Sequence, residues 1–201
     1  MATLSKKKPN TLFIAQFAIL LALEAIVCFT PLGSIPIGPL VATLAMLPVI
    51  VAGILLGTGA GAAMGFAAGL FSFIVWTFMP PNPVTAFVFT PTAAPGNFWS
   101  LVICFVPRIL TGVVASLMFK LLSRLLDGKK GATGVIYAVS GVLGSLTNTL
   151  LVMGGIYVFF GKSYATAMDI SFNLLLGSIG TTILTNGVLE AIVGGLVACG
   201  V

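Results

Sequence analysis

The fold class this sequence predicts is all-α and integral to a membrane: six transmembrane helices in one bundle, with proline-rich lid loops on the outer side. Three observations carry that reading. Of 201 residues, 59% are hydrophobic and 6% charged, with a mean hydropathy of +1.20, so polar surface is too scarce to cover a soluble globule of this size. The apolar residues fall in runs long enough to cross roughly 30 Å of hydrocarbon at about 1.5 Å per residue. Prolines and glycines collect between the runs, where helices must stop.

The first run, Thr11 to Phe29, follows Lys6-Lys7-Lys8; it is too long for a signal-peptide core, no small-residue cleavage site follows, and it reads as a helix entered from the cytoplasm. Ala15, Ala18, Ala22 and Ala25 line one side of it, a spacing that lets another helix approach closely. Thr30 to Pro39 has three prolines and two glycines in ten residues and reads as an outer loop that folds back over the bundle. The second span is placed from about Leu40 to Leu56, with Pro48 as a kink in its middle. Gly57, Gly61, Gly65 and Gly69 then recur every four residues into a third span ending near Phe78, a close-packing face rather than a phosphate loop.

Met79 to Asn97, with Phe87 and Phe89, is the longest stretch read as non-helical, and its apolar content makes it a lid rather than a disordered linker. Trp76 and Trp99 flank it at helix ends, where interfacial anchoring accounts for tryptophan as well as ligand contact does. The fourth span runs from Phe98 to about Leu122, the fifth from about Thr133 to Phe160, and the sixth from about Phe172 to Val201. Lys6, Lys7, Lys8, Lys120, Arg124, Lys129 and Lys130 then share one side, leaving Lys162 outside and Arg108 within, so both termini are expected in the cytoplasm. The chain reads as a single domain, 1–201, with a cytoplasmic tail 1–10 and a six-helix bundle 11–201.

Charge and cysteine usage exclude several function classes. The net charge of +5 comes from clusters beside apolar runs, where membrane orientation accounts for it, and nucleic acid is not implied as a partner. Cys28, Cys104 and Cys199 are odd in number and scattered, so neither a disulfide framework nor a metal site is indicated, and with no histidine neither a metal nor a cofactor is expected. Gly161-Lys162-Ser163 imitates the tail of a phosphate loop, but Ile156 stands where the upstream glycine is required, so ATP must be handled by other chains. Four acids on separate segments offer no catalytic pair, and the chain is read as non-enzymatic.

One residue remains that composition does not explain. Arg108 cannot lose its proton, and at bilayer depth it costs at least about 3 kcal/mol, so a carboxylate of this chain or a ligand must compensate it. Helical rise puts Arg108 about 13 Å below Trp99, Glu24 about 10 Å below the outer end of its own helix, and Asn148 about 22 Å up from the inner face. All three lie at similar depth. Ser100, Cys104, Arg108 and Gly112 share one face of the fourth helix, while Gly144, Asn148 and Gly155 share one side of the fifth, with Tyr157 near its outer end. Two readings stand: an internal Arg108–Glu24 ion pair, or a pocket in which Arg108 meets an anionic solute. Thr182, Asn186 and Glu190 form a second polar stripe on the sixth helix, with Glu190 too near the cytoplasm for that pocket and suited to a helix–helix hydrogen bond or a partner contact.

Pro36-Ile37-Gly38-Pro39 leading into Leu47-Pro48-Val49-Ile50, the glycine-laddered third helix, Gly96-Asn97-Phe98-Trp99-Ser100-Leu101 running into Val106-Pro107-Arg108-Ile109-Leu110, Gly144-Ser145-Leu146-Thr147-Asn148-Thr149, and Asn186-Gly187 before Glu190 resemble the substrate-binding S components of energy-coupling factor (ECF) vitamin transporters. The likeness covers nearly the whole chain from Thr11 and is greatest to the pantothenate-type branch. It implies a six-helix subunit in a bacterial cell membrane that captures a vitamin at the extracellular side and joins a transmembrane coupling protein and two cytoplasmic ATPases. It also implies coupling-protein contact at Ala18 and Ala22, and substrate contact at Arg108, Asn148 and Asn97, with Trp99, Trp76, Tyr157, Asn82 and Asn173 completing the candidate set. Pantothenate, with one carboxylate, hydroxyls, an amide and methyl groups, suits one arginine, a few amides and an apolar wall. An S component for riboflavin, folate or pyridoxine, and a stand-alone secondary transporter, are the alternatives; no inverted repeat or mid-membrane helix break is evident to favour the latter.

Overall fold

The computed structural model describes residues 11–30, 35–37, 40–42, 44–126 and 132–200. The tail 1–10 with its three lysines, Pro31 to Ser34 and Gly38-Pro39 of the outer loop, and Lys129 and Lys130 lie outside the described residues. Helix dominates: α1 (Thr11–Phe29), α2 (Leu47–Leu56, preceded by a 3₁₀ turn Leu44–Met46), α3 (Thr58–Phe78), α4 (Phe98–Leu125), α5 (Ala132–Ala167), α6 (Phe172–Thr182), a π turn (Ile183–Gly187) and α7 (Val188–Cys199). Five stretches are long and apolar enough to cross a membrane: α1, α3, α4, α5, and α6 through α7 taken together; Leu44–Leu56 is a shorter apolar helix.

The second span differs from expectation. Leu40–Ala42 is the second strand of a small antiparallel hairpin, β1 (Ile35–Ile37) and β2 (Leu40–Ala42), with Ile35 opposite Ala42 and Ile37 opposite Leu40. Pro48 therefore lies in the first turn of α2, where its missing N–H has no helical partner to lose, and it makes no mid-span kink. Every residue from Pro48 to Ile54 is buried, so α2 is a short central rod wrapped by its neighbours. α1 is the opposite case, a peripheral helix on which only Glu24 and Cys28 are buried.

The glycine ladder works as read, except at its first rung. Gly57 has φ +95° and makes the turn between α2 and α3, a conformation that needs glycine. Gly61 then meets α4 backbone to backbone: a β-carbon there would lie 2.7 Å from the Gly112 carbonyl oxygen. Gly65 faces the Arg108 backbone and Gly69 the Phe105 ring, so α3 and α4 lie as close as helices can. α5 repeats the device with Gly141 against Gly194 of α7.

Met79 to Asn97 is not wholly irregular. It contains a 3₁₀ turn, Pro83–Val88, whose Thr85, Ala86, Phe87 and Val88 are buried, and it packs against α4 and α5. Phe87 meets Phe160 edge-on at 5.6 Å, Ser100 Oγ donates to the Phe87 carbonyl at 2.7 Å, and Thr90 Oγ1 bonds Thr77 Oγ1 at 2.9 Å. The segment is pinned at both ends. α5 is also longer than a bilayer requires, 36 residues or about 54 Å, which is why it reaches this turn.

The sixth span is interrupted, contrary to the unbroken helices expected. Thr181 and Thr182 both donate their hydroxyls to the Ser178 carbonyl at 2.8 Å, and Thr185 donates to Thr181 at 2.8 Å. Side chains competing for backbone carbonyls in this way loosen a helix, and the π turn begins at the next residue, Ile183. β2 lies against that turn, so the outer hairpin reaches down to it.

Candidate ligand-binding site

Arg108 is 3% exposed, and its surroundings follow from the residue before it. Pro107 has no N–H, so the Ile103 carbonyl loses its helical partner, and the guanidinium takes its place. Nη1 donates to Ile103 at 3.3 Å and to Cys104 at 2.8 Å, while Nε donates to Ser72 Oγ of α3 at 3.1 Å. Phe89 lies under the guanidinium at 5.4 Å and packs in turn on Trp76 at 4.6 Å, a stack that holds the cation from the loop side. Trp76 is 6% exposed and is therefore not the interfacial anchor its position at a helix end suggested.

Among the described residues no carboxylate closes on this cation. Glu24, fully buried, accepts from Cys28 Sγ at 3.1 Å through Oε1, and its Oε2 has no hydrogen-bond partner. It lies near enough to feel the Arg108 charge, yet among the described residues the two form no ion pair. Nη2 of Arg108 makes none of the hydrogen bonds found among those residues. Three acceptors hold the guanidinium in place and none neutralises it.

Contacts along α5 fix what else shares this depth. Gly155 faces Ile103 and Gly144 faces Ala115 and the Thr111 carbonyl, so Arg108 is level with Asn148. Gly187 packs on Thr149, which brings Asn186 to the same layer. Asn148 Oδ1 and Asn186 Nδ2 are both buried without partners. Thr149 Oγ1, on the residue after Asn148, donates to Glu190 at 2.9 Å, the helix–helix hydrogen bond expected of that acid, and the contact places Glu190 beside this layer rather than near the cytoplasm as its helical count suggested.

The candidate residues divide by position. Arg108, Asn148, Glu24 and Trp76 are buried in or beside this layer. Asn97 caps α4 by accepting from Trp99 N at 2.9 Å, and Asn82 caps the 3₁₀ turn by accepting from Val84 N at 3.0 Å. Trp99 is exposed and stacks on Phe159 at 4.0 Å, Tyr157 stacks on Phe172 at 6.0 Å, and Asn173 is exposed in the first turn of α6. These five lie at the loop end, away from the buried layer. Ala18 and Ala22 face outward on α1. Ser72 and Phe89 contact Arg108, Asn186 shares its layer, and none of the three was in the candidate set. Ser72 follows Gly65 and Gly69 on one face and was legible on that ground, whereas Phe89 depends on how the loop folds. Among the described residues no three His, Cys, Asp or Glu side chains gather as a metal site.

The family model for the ECF transporter, substrate-specific component, matches residues 12–201. The pantothenic acid transporter PanT of Lactococcus lactis subsp. cremoris (strain MG1363) is 34% identical over 197 residues, which are 93% of this chain and 90% of that protein.

Proposed function

The chain belongs to the substrate-specific components of ECF transporters, and from that premise we propose that it is the vitamin-binding membrane subunit of an ATP-driven bacterial importer whose substrate is pantothenate. The observation that carries the substrate is Arg108, a permanent cation buried at bilayer depth with no carboxylate among the described residues upon it. A ligand carboxylate supplies the missing anion, with Nη2 as its donor. Asn148 offers an unpaired acceptor in the same layer, and Phe87, Phe89 and Val88 offer the apolar wall that methyl groups need. The name of the Lactococcus relative points to the same solute.

The remaining assignments rest on this reading. The short helix Leu44–Leu56 is the sixth crossing, and the end that carries Lys120 and Arg124 is cytoplasmic, with both termini there. The hairpin and the Pro83–Val88 turn act as the lids through which the vitamin enters. The outward face of α1 at Ala18 and Ala22 receives the coupling protein, and two cytoplasmic ATPases supply the energy. This subunit itself catalyses nothing.

Equilibrium binding of radiolabelled pantothenate to the purified chain, with riboflavin, folate and pyridoxine as competitors, tests the substrate. Displacement by unlabelled pantothenate alone is the expected result. Displacement by another of the three reassigns the vitamin. Uptake into liposomes by the chain without partners identifies a secondary transporter instead.

A further inference from the structure

We infer that Asn186, carried on the π turn of the sixth span, is a specificity-determining residue of this site, acting with Asn148 as an amide pair that reads the neutral, hydroxyl- and amide-bearing half of the ligand. The inference rests on the vitamin-binding reading above and extends it to a residue on a third helix.

Two independent observations converge on it. Asn186 is 5% exposed and its Nδ2 has no hydrogen-bond partner, while Asn148, also 5% exposed, holds an unpartnered Oδ1 across the Gly187–Thr149 contact. A buried donor without an acceptor costs about 1–3 kcal/mol, and so does a buried acceptor without a donor. A chain that leaves one of each facing the same layer has a use for both. The second observation is the backbone. The π turn spans Ile183–Gly187, so Asn186 sits inside the one non-α stretch of this span, and the outer hairpin strand β2 lies against it. A widened turn changes where the side chains it carries are aimed, and such turns gather at functional positions.

The chemistry is complementary to that of Arg108. The guanidinium fixes an anionic end, whereas Nδ2 of Asn186 donates to a carbonyl or hydroxyl oxygen and Oδ1 of Asn148 accepts from a hydroxyl or amide N–H. The class selected is a small carboxylate bearing a polar neutral segment, and a plain fatty acid of equal length leaves both amides unpaired.

The test compares pantothenate with its alcohol analogue, in which CH₂OH replaces the carboxylate, on wild type and Asn186→Leu, with melting temperature measured on each. Asn186→Leu should weaken both compounds by the same factor, roughly tenfold or more, because the neutral half is common to them. Its melting temperature should hold or rise, because an unpaired buried donor has been removed. Unchanged affinity for both compounds overturns the inference and leaves the vitamin reading intact. Weakened binding with a lowered melting temperature overturns it too, since Asn186 is then a structural donor through bound water. A wild type that binds neither compound overturns the functional reading and this inference together.

Discussion

The basic end and the loop end of this bundle are built from opposite materials. Towards the basic end, glycine meets glycine: Gly61 against Gly112, Gly141 against Gly194, with Ala115 and Ala198 buried between the helices. Polar groups there are satisfied, as Ser140 Oγ donates to Ile136 at 2.7 Å and Thr58 pairs with Ser116 at 3.0 Å. One to two helical turns away, Glu24, Asn148 and Asn186 each leave a buried polar atom unpaired, and Arg108 has no counter-ion among the described residues. Close packing is thus concentrated towards the basic end, while the other half carries the unpaired polar groups that, on the proposed function, a ligand would complete.

Substitutions that exchange the two regimes should have sharply different effects. The largest is expected for Gly112→Leu, which drives a side chain into the Gly61 backbone and should lower stability by about 3 kcal/mol or more, read as a collapsed melting transition in detergent. Bound pantothenate should not restore it. Arg108→Gln comes next and should separate the two properties: vitamin affinity falls by roughly 100-fold or more, while the protein keeps a sharp melting transition. If that variant unfolds on purification, the arginine is structural and the contrast between the ends is false.

Glu24→Gln sharpens the contrast further. Because Glu24 does not pair with Arg108, the change should leave folding intact and alter vitamin affinity by less than about tenfold. A loss of stability comparable to that of Gly112→Leu would reinstate the internal ion pair. The smallest effect is reserved for Ala22→Leu on the outward face of α1, within about 0.5 kcal/mol of wild type in the isolated chain. Co-purification with the coupling protein and ATPases is the readout that should respond.

Much of this was legible in the sequence because membranes impose simple rules. Length and hydropathy located most of the apolar crossings, four-residue glycine spacing marked the close-packing face of α3 without naming its partner, and helical rise put Arg108 level with Asn148. Pro48 was misplaced because the loop before α2 is itself apolar, so composition hid the start of the helix and a first-turn proline looked like a mid-span one. The π turn was missed because Thr181, Thr182 and Thr185 read as ordinary helix residues until their hydroxyls turn back on the backbone. Asn186 was seen in the stripe with Glu190 but given no role of its own, since only tertiary contact reveals that Glu190 takes a hydrogen bond from Thr149 while Asn186 Nδ2 has no partner. Trp76 shows the same limit: a tryptophan at a helix end anchors at an interface unless a loop folds over it, as Phe89 does here.

The ratio of wild-type affinities for pantothenate and for its alcohol analogue, set beside the same ratio for Arg108→Gln, tests most directly whether a buried cation awaits the ligand's carboxylate. Wild type should prefer the acid by roughly 100-fold, and the substitution should bring that preference close to unity. Equal affinity of wild type for the two compounds, or a preference that survives the loss of the guanidinium, would contradict the account.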